Sequence, residues 1–208
     1  MGGCFHGGQL VQMENGHLLP MSSLSIGDRV LSTDSLGRPV YDAVVAFLHV
    51  SRNLSSVFVR LETDQGGLAL TPQHLIFASK TPSEAIQPYF AGDIEVGDTI
   101  YEITTNATRA VPRRVRRVSY TLEKGIYAPL TSQGTIVIGG YIASCYGLIS
   151  SHSLAHAALW PVRSRLMPLM DSREPTLDEE IHWYAALLYR TFSGLIQKEY
   201  WYPTEIER

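Results

Sequence analysis

Leu24-Ser25-Ile26-Gly27-Asp28-Arg29-Val30-Leu31 is repeated in altered form further along the chain as Ile94-Glu95-Val96-Gly97-Asp98-Thr99-Ile100-Tyr101. In each copy a Gly-Asp turn leads into a run of apolar and β-branched residues, a pattern that indicates a turn followed by a strand. Solenoid arrays need three or more copies of their unit. Two copies therefore predict a duplicated, pseudo-two-fold β fold.

Residues from about 9 to 140 continue the β pattern, because short runs rich in β-branched and aromatic residues alternate with Gly, Asn, Asp or Pro. The predicted strands are Leu10–Met13, Arg29–Thr33, Pro39–His49, Ser56–Glu62, Leu68–Leu70, Leu75–Ala78, Thr99–Ile103, Val111–Tyr120 and Thr135–Ile138. After about residue 148 the apolar residues recur at helical spacing, with interruptions at Pro161 and Pro168. We expect a mainly β domain with a short C-terminal α-helical appendage.

Composition excludes several classes of protein. Of the 208 residues 45% are hydrophobic. This share is enough for a sizeable core and argues against a largely disordered chain. The net charge is −3 with both signs interspersed, whereas a nucleic-acid binder needs a basic face. No apolar run is long enough for a transmembrane helix.

Cys4 and Cys145 are the two cysteines, too few for a disulfide framework. Cys4 follows Gly2 and Gly3, whose lack of side chains would let a thiol approach the Gly3 carbonyl closely. A cysteine thiol is intrinsically nucleophilic and needs little activation. Composition alone also allows an accidental terminal thiol.

Thr71-Pro72-Gln73-His74 lies between two apolar runs, so it is expected on a turn between strands. A hydroxyl and an imidazole at this spacing can point at one peptide bond, although a single His beside a strand is more often structural. His152 and His156 have helical i,i+4 spacing but no third ligand nearby in sequence, so no metal site is expected.

Six motifs occur in an order that resembles one known family. They are Gly3-Cys4-Phe5, Leu24–Leu31, Leu70–His74, Ala128–Ile136, Ala143–Tyr146 and Ile181–Tyr184. Together they resemble the Hedgehog C-terminal autoprocessing domain, which is a Hint module with the fold of inteins followed by a sterol-recognition region. The resemblance implies that residues 1–3 are the remnant of an upstream segment with a start Met, that 4–148 form the Hint module, and that 149–208 form the sterol-recognition region.

The resemblance also implies roles for individual residues. Cys4 would attack the Gly3 carbonyl and convert the Gly3–Cys4 peptide bond to a thioester. His74 would hydrogen-bond the scissile amide nitrogen and protonate the leaving amine, while Thr71 would hold and polarise the same bond. Cys145 matches a second cysteine that takes part in the second step and can form a disulfide with the nucleophile; a buried structural Cys is the alternative.

His49 departs from the family, which has an Asp at this position as the presumed base for an attacking sterol hydroxyl. Neutral imidazole is a stronger base than carboxylate, with reference pKa values of about 6.5 and about 3.9. We therefore expect His49 to replace the Asp as base. Asp42 lies seven residues earlier, roughly 20 Å along an extended strand, and should not substitute.

The C-terminal aromatic and apolar residues are expected to meet the sterol. The candidates are Trp160, Trp183, Tyr184 and Leu188 on amphipathic helices that would also touch a membrane surface; alternatively these side chains only pack the helices onto the β domain. The expected partner is cholesterol or a related sterol as co-substrate, with no metal, no diffusible cofactor and no nucleic acid. We expect a monomer in the endoplasmic reticulum lumen of the secretory pathway.

Three other functions are weighed against this one. A cysteine hydrolase with a Cys/His dyad would turn over on other molecules. Protein splicing would need a His-Asn pair at the end of the module, which Trp201–Arg208 lacks. The third is a catalytically impaired sterol- or partner-binding module, because His49 replaces the family Asp.

Overall fold

A computed structural model of the chain describes residues 3–104, 108–147, 149–164 and 180–192. The strands are β1 (Phe5–His6), β2 (Leu10–Gln12), β3 (Leu18–Pro20), β4 (Arg29–Thr33), β5 (Pro39–Glu62), β6 (Gly67–Leu70), β7 (His74–Ser79), β8 (Gln87–Phe90), β9 (Thr99–Glu102), β10 (Val111–Arg114), β11 (Arg117–Thr131), β12 (Thr135–Ile138), β13 (Tyr141–Gly147) and β14 (Glu180–Ile181). The helices are α1 (His152–Ala158), α2 (Trp160–Arg163) and α3 (Trp183–Phe192). The mainly β fold with a short helical appendage is confirmed.

Two antiparallel sheets make up the β part. One has the order β11-β1-β6-β5-β14, with β4 also on β5 and a direct β11–β5 pairing; the other has the order β10-β9-β7-β13-β12-β2-β3, with β8 on β7. One large apolar cluster joins the inner faces of both sheets and includes Phe5, Val30, Leu61, Ile76 and Tyr141. A smaller cluster surrounds Cys4 and contains Phe58, Ala69, Ile126 and Ala128.

The long strand β5 differs from the prediction. The sequence predicted separate strands Pro39–His49 and Ser56–Glu62, because the polar residues between them resemble a turn. In the structure β5 runs through this segment for 24 residues and pairs with β11, which accommodates the polar stretch with a register shift between Lys124 and Ile126. Continuous pairing with a long partner outweighs the local turn signal.

The predicted strand Val111–Tyr120 is also wrong as a single element. Strand β10 ends at Arg114 and β11 begins at Arg117, because Val115 and Arg116 form the passage between the two sheets. Val115 is fully buried, and its N–H and carbonyl form hydrogen bonds with Asp98 and Gly97 of the second Gly-Asp turn.

The first Gly-Asp turn is held by backbone and side-chain hydrogen bonds. The N–H of Gly27 donates to the carbonyl of Val44 at 2.8 Å, and the N–H of Val44 donates to the carbonyl of Asp28 at 2.8 Å. The carboxylate of Asp28 accepts the N–H of Ser25 at 2.8 Å. Gly27 has a φ of 98°, which side chains rarely tolerate.

The second Gly-Asp turn repeats this arrangement. Gly97 donates to the carbonyl of Val115 at 2.9 Å, and Val115 donates back to the carbonyl of Asp98 at 2.8 Å. The Asp98 carboxylate accepts the N–H of Glu95 at 2.7 Å, and Gly97 has a φ of 104°. The repeat in the sequence therefore corresponds to a repeated structural unit.

The helical appendage contacts the β part through Arg163 and through strand β14. Ser151 caps α1 by accepting the N–H of Leu154 at 3.2 Å, and Arg163 donates to the carbonyl of Ser132 at 2.7 Å. Strand β14, which the sequence did not predict, pairs with β5. The described residues include no helix that is long and apolar enough to cross a membrane.

Substitution of Gly27 by Ala is expected to destabilise the fold through backbone strain alone. A Cβ built on Gly27 meets nothing within 4 Å, so no clash adds to the strain of positive φ. That strain costs about 1–2 kcal/mol, which corresponds to roughly 2–8 °C in a chain of this size. Thermal unfolding followed by circular dichroism measures the shift, with Gly8→Ala as the control because Gly8 lacks positive φ. Equal midpoints for the two variants would show that the turn does not need glycine.

Candidate active site

Cys4 and Thr71 hold each other through two hydrogen bonds. The Cys4 N–H donates to the Thr71 hydroxyl oxygen at 2.9 Å, and the Thr71 N–H donates to the Cys4 carbonyl at 3.0 Å. Thr71 directly follows β6, whose Leu70 pairs with Phe5, so strand pairing brings the two residues together. The amide nitrogen of the Gly3–Cys4 bond is thus bound by Thr71.

Gly3 lies against Gly147 and His74 with no room for a side chain. A Cβ on Gly3 would stand 2.8 Å from the Gly147 Cα and 2.9 Å from His74 Nδ1, both impossibly close. A Cβ on Gly147 would stand 2.4 Å from the Gly3 Cα. The absence of side chains at Gly3 and Gly147 therefore allows Gly3 to approach the imidazole of His74.

His74 is fully buried beside this bond, and one ring nitrogen is fixed. Nε2 donates to the carbonyl of Ser144 at 2.7 Å, since a carbonyl can only accept. In the neutral ring Nδ1 is then unprotonated. This atom lies beside Gly3, and among the described residues it has no hydrogen-bond partner of normal geometry. Burial lowers the pKa of His74 to about 4, so the ring is neutral near pH 7. The Cys4 N–H bonds Thr71, not His74 as the sequence had predicted.

A bulge in β13 makes the Ser144 carbonyl available to His74. Ala143 pairs with Ile76 and Gly147 with His74, so residues 144–146 stand opposite the single Leu75. The Ser144 hydroxyl accepts the Tyr146 N–H at 2.9 Å and lies 2.9 Å from His152 Nδ1. Neither Ser144 nor the His152 contact was predicted, because a bulge leaves no signature in these residue types.

His152 and His156 stack on each other at 5.6 Å on α1. Their Nδ1 atoms lie 2.9 Å from the Ser144 hydroxyl and 2.8 Å from the Tyr146 hydroxyl, respectively. Burial lowers the pKa of His152 to about 4. These histidines brace β13; within the described part of the chain no three His, Cys, Asp or Glu side chains are grouped to hold a metal.

His49 lies beside the thiol of Cys4. Its Nδ1 is 3.7 Å from Cys4 Sγ, and it pairs across the sheet with Ala128. On the other side of β11, Phe5 pairs with Tyr127. This register places Cys4 next to Ala128. The small Ala128 side chain between them lets thiol and imidazole meet. Burial raises the pKa of the Cys4 thiol to about 12, so the thiol is protonated until a base acts on it.

Cys145 is a buried free thiol, as is Cys4. Its Sγ lies 3.6 Å from the Thr131 hydroxyl, and burial raises its pKa to about 11. Cys145 belongs to the large core cluster, whereas Cys4 belongs to the smaller one. The structure therefore contains no disulfide between them, and a role for Cys145 in the second step stays a prediction.

The predicted sterol-contacting residues lie in different environments. Trp160 is exposed, whereas Tyr184 and Leu188 are partly buried against the large cluster. The Tyr184 hydroxyl donates to the Ala158 carbonyl at 3.2 Å, which ties α3 to α1. The side chain of Trp183 lies outside the described part of the structure. Sterol contact by these four residues stays a prediction.

Comparison with known proteins decides the family. A family described as Hint module matches residues 1–197. The chain belongs to the Hint family. Solved structures show the same fold at low identity: the TvoVMA intein has a TM-score of 0.56 at 17% identity and covers 68% of this chain and 96% of its own. The KlbA intein precursor from Methanococcus jannaschii has a TM-score of 0.58 at 16% identity, covering 68% and 90%.

Relatives in sequence are hedgehog proteins, which confirms the predicted resemblance. The Hint chain is 34% identical to Indian hedgehog protein from Xenopus laevis over 99% of its own length and 51% of that protein. It is 39% identical to Protein hedgehog from Drosophila virilis over 90% of its length and 42% of that protein. The chain thus spans about half the length of the curated relatives it matches, and the division at residue 148 stays a prediction.

Acid is expected to destabilise this Hint fold through its buried histidines. The folded-state pKa of His74 and of His152 is about 4, below the ordinary 6.5. Above pH 6.5 both histidines are neutral in the folded and in the unfolded chain, so they do not change the free energy of unfolding. Between 6.5 and 4 the unfolded chain binds the protons, so stability falls by up to about 1.4 kcal/mol per pH unit for each group.

Urea unfolding from pH 7.5 to 4.5 measures this fall. His152→Asn removes one of the two groups and should flatten the profile, whereas substitution of the exposed His17 by Asn should leave it unchanged. Identical profiles for all three chains would contradict burial of neutral rings.

Proposed function

We propose that this Hint module cleaves its own Gly3–Cys4 bond through a thioester and transfers the upstream segment to a sterol hydroxyl. The observation that carries the proposal is the enclosure of that one bond: Thr71 binds its nitrogen, His74 faces Gly3, and Cys4 Sγ lies beside His49. A hydrolase acting on other molecules would need an open site, but Cys4 is 1% exposed. The hedgehog likeness supports the sterol as acceptor and the secretory pathway, in the endoplasmic reticulum lumen, as the location.

In the first step the thiol of Cys4 attacks the Gly3 carbonyl carbon. A C–S bond forms, the C–N bond of Gly3–Cys4 breaks, and one proton moves in net from sulfur to nitrogen. His49 accepts the thiol proton, since its Nδ1 is 3.7 Å from Sγ. His74 takes up a proton from solvent at Nδ1 and passes it to the leaving amine; its lowered pKa makes the protonated ring a minor form near pH 7 but a strong acid. Proton exchange with solvent restores both rings.

In the second step the sterol hydroxyl attacks the thioester carbon. The C–O bond forms, the C–S bond breaks, and Cys4 leaves as a thiolate. The hydroxyl proton passes to neutral His49 and from there to the sulfur. His49 then serves both steps at one sulfur atom, which a carboxylate could not do equally well, since carboxylate is the weaker base near pH 7.

Thiol-induced cleavage tests the first step. A reporter fused upstream of Gly3 should be released by dithiothreitol without sterol, because the thiol intercepts the thioester. Cys4→Ala should abolish release, and His74→Ala should slow it by about 10²- to 10⁴-fold, the usual contribution of a positioned acid or base. Substitution of exposed His17 by Ala is the control. Release by the Cys4→Ala chain at the wild-type rate would exclude the thioester.

The pH dependence of sterol-dependent release tests His49 as base. With cholesterol in detergent the rate should fall on the acid side as the ring becomes protonated. In His49→Asp this fall in rate should move to lower pH. A carboxylate keeps its basic, ionised form at a lower pH than that at which imidazole loses its basic, neutral form. A rate that does not fall between pH 8 and 5.5 would remove His49 as base. A chain with no sterol adduct at any pH would instead favour the impaired binding module.

A further inference from the structure

The imidazole ring of His74 is held at its face and at one edge. The Phe5 ring covers the face, with ring centroids 4.3 Å apart, and the Ser144 carbonyl accepts the Nε2 hydrogen at 2.7 Å. The face contact does not distinguish the two ring nitrogens, because rotation of the ring by a half-turn leaves the face covered. The carbonyl distinguishes them, since it can only accept and so keeps the hydrogen on the nitrogen beside it. Ser144 therefore decides that Nδ1 is the unprotonated atom beside Gly3.

The Ser144 carbonyl is available because β13 bulges on one side only. Towards β12, Ser144 keeps its regular pairing with Thr135. Towards β7, the register shifts between Ala143 and Gly147, and the Ser144 carbonyl meets the ring of His74 instead of its backbone. The bulged residues have no regular ladder partners on β7, so the position of this carbonyl depends on other contacts.

The hydroxyl of Ser144 supplies those contacts. Its oxygen accepts the N–H of Tyr146 at 2.9 Å, which closes the bulge into a short turn of the kind that serine makes with the backbone two residues ahead. The hydroxyl also lies 2.9 Å from Nδ1 of His152 at the start of α1. Ser144 is fully buried, so bulk water does not replace these contacts. The side chain of Ser144 thus fixes the backbone from which its own carbonyl points at His74.

The hydrogen bond to the Ser144 carbonyl serves both protonation states of His74. In the protonated ring Nδ1 carries the proton for the leaving amine, while the Nε2 hydrogen stays on the carbonyl. After the transfer, the neutral ring is left with its hydrogen on Nε2, which is the form that the carbonyl stabilises. Burial lowers the pKa of His74, and the hydrogen bond to Ser144 acts in the opposite direction. The carbonyl therefore increases the share of protonated ring and also fixes its direction.

We propose that Ser144 is a positioning residue for the first step, because its hydroxyl holds the β13 bulge that aims His74 Nδ1 at the leaving amine. This inference rests on the proposed cleavage through a thioester. Without the hydroxyl the carbonyl is no longer fixed, and the ring turns between its two orientations. Nδ1 then lies beside the leaving amine for only part of the time, and the amine is protonated more slowly.

Ser144→Ala tests the hydroxyl, because it leaves the backbone carbonyl in place and removes the oxygen that accepts the Tyr146 N–H. Ser144→Thr is the conservative variant, since it keeps the hydroxyl and suits a strand. Ser79→Ala is the matched control. Ser79 is also buried, and its hydroxyl lies 2.9 Å from the Tyr101 hydroxyl, at the opposite end of β7 from His74. Circular dichroism checks that each chain is folded.

Release of an upstream reporter by dithiothreitol, without sterol, measures the first step. Ser144→Ala should release the reporter about 10- to 100-fold more slowly than the unsubstituted chain, as expected for a misplaced proton donor. Ser144→Thr and Ser79→Ala should both remain close to the unsubstituted rate.

The nitrogen chemical shifts of the His74 ring report its form directly. In chains that also carry Cys4→Ala the Gly3–Cys4 bond stays intact, and selective nitrogen-15 labelling of histidine gives signals for both ring nitrogens. A His74→Ala chain assigns these signals. We expect hydrogen on Nε2 alone in the Ser79→Ala control, and signals of both ring forms in Ser144→Ala. A general loss of stability would not change the ring form, so this measurement separates positioning from folding.

Two results overturn the positioning role. One is equal release by Ser144→Ala and Ser144→Thr; the other is slow release by Ser144→Ala with unchanged nitrogen shifts, which would mean that the hydroxyl does not act through His74. Failure of the unsubstituted chain to respond to dithiothreitol, although His74 shows the expected shifts, would instead reject the thioester itself.

Discussion

The paired hydrogen bonds between Cys4 and Thr71 are the constraint on which the site depends. They tie Cys4 to the residue that follows β6, and the nitrogen of the Gly3–Cys4 bond has its place because of them. The thiol is buried and its pKa is raised, so the reactivity proposed for Cys4 depends neither on exposure nor on a permanent negative charge. Its position beside one carbonyl and one imidazole is what the fold supplies, which is the usual advantage of an intramolecular reaction.

Much of this could be predicted from sequence because the signals are local. The two Gly-Asp turns are short motifs with fixed backbone requirements, and their repetition indicated the duplicated fold. Thr71 and His74 flank one turn, so their joint placement followed from the strand pattern. The contacts that escaped prediction depend on long-range register: the β13 bulge at Ser144, the row from Cys4 to His49, and the two-residue strand β14. A shift of one residue in the strand register changes such contacts, and no local sequence pattern encodes the register.

The resemblance to the hedgehog autoprocessing domain predicts a carboxylate where this chain has the imidazole of His49. A buried carboxylate beside a buried thiol would add a charge to an apolar cluster, whereas a neutral ring costs less to bury. The ring can accept a proton from sulfur and later from an incoming hydroxyl. Strand β14 lies next to His49 on β5. The backbone ladder thus connects the helical appendage with the strand that carries His49.

The central claim is that the Thr71 hydroxyl holds the scissile nitrogen, and Thr71→Val tests it most directly. Valine keeps the shape and the backbone N–H that bonds the Cys4 carbonyl, and it removes only the hydroxyl oxygen that accepts the Cys4 N–H. Neutral hydroxylamine traps the thioester, and intact mass spectrometry gives the rate at which residues 1–3 are lost. We predict a rate about 10- to 100-fold lower for Thr71→Val than for Thr71→Ser, which keeps the hydroxyl. Equal rates for the two variants would contradict the account.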